Sequence, residues 1–173
     1  MIIGLGYRKH SGKDTVADEL VRSNGFYKTS WADPLKRAVM EAFGWDERHV
    51  YGDLKEVVDP RWNMTPREAL QHVGTDLFRN WIPDFWVRRT MMEVEHHQHV
   101  VIPDVRFPNE AQAIKDAGGI VWCVNRPSLG PPTDSHESET AMADYKNWDA
   151  IVHNDGTVED LRDYIKQLME AVS

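Results

Sequence analysis

The chain has 173 residues, 41% hydrophobic and 28% charged, the make-up of one globular domain able to bury a core without staples. A single cysteine, Cys123, excludes a disulfide framework, and no apolar run approaches bilayer-spanning length, so a cytoplasmic enzyme is expected, with no membrane partner. A net charge of −8 argues against a nucleic-acid polymer, yet Arg8, Lys9, His10 and Lys13 crowd one stretch, a basic pocket suited to a small phosphorylated ligand.

Met1-Ile2-Ile3-Gly4-Leu5 reads as a strand, and Ala17, Leu20 and Val21 mark the buried side of a first helix. Between them runs Gly6-Tyr7-Arg8-Lys9-His10-Ser11-Gly12-Lys13-Asp14-Thr15. Strand, glycine-bearing loop, Gly-Lys, then helix is the context of a phosphate-binding P-loop. Backbone N–H groups of such a loop and of the first helical turn converge on an anion, and Lys13 adds a charge for the β- and γ-phosphates. The spacing is irregular: five residues rather than four separate Gly6 from Gly12, and Tyr7 stands where the first glycine belongs. Asp14 replaces the Ser/Thr that normally ligates magnesium, with Thr15 one place later. An aspartate there still suits an ion that prefers oxygen ligands and keeps several waters.

Phe26–Trp31 reads as a short second strand. Ala32-Asp33-Pro34-Leu35-Lys36 opens a helix with Leu35, Val39, Ala42 and Phe43 as its buried side. Residues 44–64 show weak periodicity and read as loop with at most a short helix. Thr65-Pro66-Arg67-Glu68 is a capping-box helix start, with Leu70, Val73 and Leu77 as the apolar face and Arg67, Gln71, Thr75 and Asp76 available to a ligand. A further helix follows Pro83-Asp84 and fades in His96-His97-Gln98-His99, which reads as a solvated helix end rather than a metal site.

Val100-Val101-Ile102 is a strand covered on both faces, ending in Pro103-Asp104-Val105-Arg106. A helix over 108–117 stops at Gly118-Gly119, and Ile120–Val124 is another buried strand. Residues 127–148 read as a lid-like loop, carrying His136-Glu137-Ser138-Glu139. Ala150–His153 is a last strand, and Thr157 caps a final helix with Leu161, Tyr164, Ile165, Leu168 and Val172 on one side.

Apolar strands alternating with helices predict an α/β fold, a parallel sheet flanked by helices, with its ligand at the carboxyl ends of the strands. That rim takes in the P-loop, Asp33, Asp104, Arg106, Arg126 and the 127–148 loop. Asp104 stands where many P-loop enzymes keep a carboxylate for magnesium, its alternative being a cap for the helix at 108. Bringing two phosphates together needs several cations, and Arg67, Arg106 and Arg126 are the candidates. Phe85 and Trp86 are placed equally well to stack on a base or to fill a core.

Taken together, Ser11-Gly12-Lys13-Asp14-Thr15, Ala32–Lys36, Leu70-Gln71-His72-Val73-Gly74-Thr75-Asp76-Leu77, Trp86-Val87, Pro103–Arg106 and Asn154-Asp155-Gly156-Thr157 resemble the bacteriophage deoxynucleoside monophosphate kinases, in order and over nearly the whole length. The resemblance implies a P-loop NTPase, nucleoside monophosphate kinase-like fold, with 1–173 as one kinase domain and 33–97 as a helical substrate-binding insertion. It also implies transfer of the γ-phosphoryl group of ATP to a dNMP. His10, Gly12, Lys13, Asp14 and Thr15 would hold ATP, with Arg126 at the root of the lid. Lys9, Asp33, Lys36, Arg67, Thr75, Asp76, Trp86 and Val87 would form the dNMP side, with Asp104 and Arg106 between the two nucleotides. Lys13, Asp104 and Arg106 would act in catalysis, and Asp14 and Asp104 would hold Mg²⁺. Partners are then small-molecule nucleotides, with a homodimer as the open oligomeric option. Two rivals stand beside this reading: another small-molecule P-loop kinase, such as a dephospho-coenzyme A kinase, and a non-catalytic nucleotide-binding module.

Overall fold

The computed structural model describes residues 1–130 and 141–172. In chain order the elements are β1 (Ile2–Gly6), α1 (Lys13–Asn24), β2 (Tyr27–Lys28), α2 (Asp33–Phe43), α3 (Glu47–Val50) and α4 (Pro66–Gln71). A π-helical stretch (His72–Arg79), α5 (Phe85–Val94), β3 (Val100–Val105), α6 (Pro108–Asp116), β4 (Ile120–Asn125), β5 (Ala150–His153) and α7 (Val158–Val172) follow. They fall into two compact units, Met1–Ser30 with Glu93–Ser173, and Trp31–Met92.

The first unit is built on five parallel strands in the order β2-β3-β1-β4-β5. Ile3, Leu5, Val101, Trp122, Val124 and Val152 form one buried face under Val16, Ala17 and Leu20 of α1 and Leu161, Ile165 and Met169 of α7. Truncating a fully buried side chain such as Leu20 to alanine typically costs about 2–5 kcal/mol. Gly4 alternates with Ile3 and Leu5, so it points to the opposite face, where α6 lies on β1 and β4. The buried side of α1 is Val16, Ala17 and Leu20; Val21, expected inside, is 39% exposed, because the strip facing the sheet runs one residue earlier than the apolar spacing suggests. Val172 likewise lies outside, on the last turn of α7.

β2 is shorter than expected, an edge strand bonded only to β3. β3 is longer, running through Pro103 and Asp104. Thr29 N donates to Val101 O at 3.1 Å, so odd-numbered residues of β3 face β2. The N–H that Pro103 lacks would therefore point where β2 has already ended, and no ladder bond is lost. The histidines after α5 are exposed, as a solvated helix end should be, and two also meet rings: His97 stacks on Tyr27 at 3.7 Å between ring centroids, and His99 tilts against Phe26.

The second unit is helical. Val39, Trp45 and Ala69 form its buried cluster, with Leu35, Met40, Phe43, Leu70 and Val73 packed on it, while Ala42 of α2 is exposed. Residues 44–64 are more ordered than their weak periodicity suggests. Asp46 caps α3, and the buried Asp59 carboxylate accepts from the Arg61 guanidinium and from the Trp45 indole at 2.6 Å. The capping box at α4 forms as expected, Glu68 N donating to Thr65 Oγ1 at 3.2 Å and Thr65 N to Glu68 Oε2 at 2.7 Å. α4 then runs into the π-helical stretch, whose wider turn rotates Leu77 outward, leaving it 61% exposed. Gly74 takes the inward place under Leu35, where a Cβ would stand 2.6 Å from Leu35 Cδ2.

Among the described residues no helix is long and apolar enough to cross a membrane. Of the expected 127–148 loop, Pro127–Leu129 forms one 3-10 turn and Met142 is buried. His136-Glu137-Ser138-Glu139 lies outside the described residues.

Candidate active site

The loop between β1 and α1 takes its shape from three residues with positive φ: Tyr7 at 95°, His10 at 63° and Gly12 at 99°. Tyr7, standing where the motif wants glycine, adopts a conformation glycine would favour. Gly12 is required twice over, since a Cβ there would also stand 2.2 Å from Asn154 Nδ2. The side chain of Lys13 folds back along the loop, donating from Nζ to Tyr7 O at 3.2 Å and to Arg8 O. Its charge also reaches Cys123 on β4, whose thiol burial pushes up to about 11 while Lys13 pulls it down. The N-cap of α1 is Gly12, which has no side chain to cap the helix. Ser11 Oγ is buried and has no hydrogen-bond partner among the described residues.

Other strand ends flank this loop. Gly6 is in register with Val105 on one side and Cys123 on the other, so Asp104 and Arg106 bracket a residue paired to the start of the loop. Asp104 is half-buried, and at the start of α6 Arg106 N and Phe107 N both donate to Glu110 Oε2, at 2.7 and 3.1 Å. Arg126 is exposed just beyond β4. Arg8 donates to Gly130 O, and Asn154, just past β5, donates from Nδ2 to Ser11 O at 2.8 Å. Asn154 belongs to the stretches that carry the resemblance but is given no role by it; its sequence separation of 143 from Ser11 hides the contact from any local reading. Lys9, His10, Asp14 and Thr15 are exposed. Thr15 lies at a cleft between α1 and α7, beside Asp18, Arg22 and Arg162. The Asp14 carboxylate is 3.0 Å from Lys28 Nζ.

Among the described residues no group of three or more histidine, cysteine or carboxylate side chains gathers as a metal site. Asp14 and Asp104 offer oxygen donors only, which fits an ion that takes one or two carboxylates and completes its shell with water and phosphate.

In the helical unit, Asp33 starts α2 and accepts from Tyr51 Oη at 2.8 Å, while Lys36 Nζ stands 4.0 Å from the centre of the Tyr51 ring. Burial, and then the Asp33 carboxylate, hold the Tyr51 proton well above the ordinary phenol range. Arg67 bonds Glu56, and its N–H donates to Lys55 O at 3.1 Å. Thr75 and Asp76 are exposed on the π-helical stretch, Asp76 meeting His72 Nδ1 at 2.6 Å. Trp86 is only 4% exposed. Its indole N–H donates to Gly74 O at 3.0 Å and its ring packs on Phe78 and Phe85, so it braces the stretch that carries Thr75 and Asp76. Val87 beside it is half-buried.

Residues 48–165 match the model of a family described as deoxynucleotide monophosphate kinase. The chain belongs to this family. It is therefore a kinase, a phosphotransferase. A protein of Acanthamoeba polyphaga mimivirus that carries the provisional name deoxynucleotide monophosphate kinase is 37% identical, over 100% of this chain and 98% of its own. The deoxynucleotide monophosphate kinase of Enterobacteria phage T4 is 25% identical over 69% of this chain and 51% of its own. Among solved structures, a dephospho-CoA kinase from Campylobacter jejuni covers 99% of this chain and 97% of its own, with a TM-score of 0.53 and 16% identity, a likeness of fold alone. This chain thus shares its overall fold with that kinase.

Proposed function

We propose that this deoxynucleotide monophosphate kinase moves the γ-phosphoryl group of ATP to a dNMP, giving dNDP and ADP, with no covalent enzyme intermediate. The observation that carries the donor site is the Lys13 ammonium lying over a loop of three positive-φ residues that leads into an uncapped helix. The loop amides and Lys13 bind the β- and γ-phosphates, with His10, Gly12, Asp14, Thr15 and Arg126 around the donor. Lys9, Asp33, Lys36, Arg67, Thr75, Asp76 and Val87 form the acceptor side, which Trp86 positions. Arg106 orients the acceptor phosphate for in-line attack. Magnesium, when bound, supplies charge neutralisation at the phosphate oxygens, and Asp14 and Asp104 are the side chains that would hold it.

The test is an ADP-release assay across the four dNMPs, UMP, AMP and dephospho-coenzyme A, run on wild type and Lys13→Ala. Turnover with one or more dNMPs, lowered roughly 10²–10³-fold in kcat by Lys13→Ala, is expected. Full turnover in Lys13→Ala removes the donor assignment. Turnover with dephospho-coenzyme A alone removes the acceptor class.

A further inference from the structure

Lys55 lies between α3 and α4, in the stretch whose apolar pattern is weakest. Its main chain is fixed: Lys55 N donates to Gly52 O, and Lys55 O accepts from Arg67 N in the first turn of α4. Its side chain is half-buried, and its ammonium has no ion pair or hydrogen bond among the described residues. Burial first, and then the like charges of Lys36 on α2 and Arg67 on α4, push its proton affinity below the ordinary lysine value, with Glu56 a small offset. Lys55 is thus tied through its main chain to Arg67 of α4, and its half-buried ammonium feels the charges of Arg67 and of Lys36 on α2.

Folding alone disfavours that arrangement. A cation drawn out of water towards two others loses hydration and gains repulsion. Its neighbours are partly compensated, Lys36 by the Tyr51 ring and the Asp33 carboxylate 3.8 Å away, Arg67 by Glu56. Lys55 has only the opposing charge of its neighbour Glu56, with no ion pair or hydrogen bond of its own among the described residues. The chemistry that would satisfy all three at once is a phosphate monoester, whose oxygens accept charge-assisted hydrogen bonds from several directions.

We propose that Lys55, with Lys36 and Arg67, binds the 5′-phosphate of the acceptor nucleotide. This rests on the acceptor reading above and adds a residue to it. Lys55 is a binding residue that holds the acceptor before transfer.

The experiment uses the full chain, dNMP as varied substrate and ATP saturating, with Lys55→Met, Lys55→Arg and, as control, Arg67→Met. Lys55→Met is expected to raise the dNMP KM about 10–100-fold, the scale of one charge-assisted hydrogen bond, and to leave the ATP KM within about twofold. Lys55→Arg recovers most of the loss. Ligand-free Lys55→Met melts at or above the wild-type temperature, since a strained charge has been removed. Calorimetric titration with dNMP alone gives the same ordering of affinities without turnover. An unchanged dNMP KM in Lys55→Met beside a raised one in Arg67→Met overturns the Lys55 assignment and leaves the acceptor site standing. Unchanged values in both remove the acceptor site itself. A rise in both substrates' KM with a lower melting temperature means a damaged fold and also overturns the assignment.

Discussion

Tyr7 holds a φ of 95° in the loop that carries Lys13, a region open to glycine and strained for other residues by on the order of 1–3 kcal/mol. Two substitutions separate that strain from the packing of the half-buried ring. Tyr7→Ala loses the ring and keeps the strain; Tyr7→Gly loses the ring and relieves it. In chemical denaturation the glycine variant should be the more stable by about 1 kcal/mol, after allowance for its freer unfolded chain. An alanine variant equal to or above it would mean the backbone is not strained at this position. The loop was legible from the sequence because a strand, a glycine turn and a lysine are local chemistry. Asn154 and Lys55 were not. Asn154 matters only where β5 ends beside Ser11, and Lys55 only where charges from α2 and α4 meet it.

At the scale of elements, hydrophobic spacing finds the long helices and the strands of the described residues, and it fails where polar bonds or a changed helical pitch decide the geometry. A 3.6-residue period misplaces Leu77, because the π-helical stretch adds backbone per turn that the period does not count. Residues 44–64 look like loop to hydrophobic spacing because their organiser is a carboxylate. Hydrogen bonds from Arg61 and then Trp45 hold the Asp59 carboxyl well below its ordinary value of 3.8. The sign follows from linkage. A group whose proton affinity is lowered on folding contributes stability that is present above its unfolded pKa and lost as pH falls through the lower folded value. Wild type should therefore melt higher than Asp59→Asn at pH 6, and the gap should shrink by pH 3. A gap of the same size at both pH values would show that Asp59 does not act through its charge.

For the whole molecule, the parallel sheet ties early residues to late ones. The cluster that covers α1 contains Val152, Leu161, Ile165 and Met169, all contributed after residue 149. A chain stopped before Asp149 should lose cooperative thermal unfolding by circular dichroism and any rise in melting temperature with ATP. A sharp, ATP-responsive transition in that truncation would show that the remaining strands suffice. The fold class was readable because alternating strands and helices leave few topologies; the strand order was not, since it depends on which partner each strand finds.

That order has a consequence for synthesis. β1 sits between β3 and β4, so neither neighbour exists until residues 100 and 120 have been made. At ordinary elongation rates β1 waits on the order of ten seconds outside the ribosome with both edges open. Its five residues, Ile2 to Gly6, carry no charge to discourage another chain from pairing there. The arginine, lysine and histidine at positions 8 to 10, immediately downstream, then act as a guard on a nascent aggregation site, quite apart from any work they do on nucleotides.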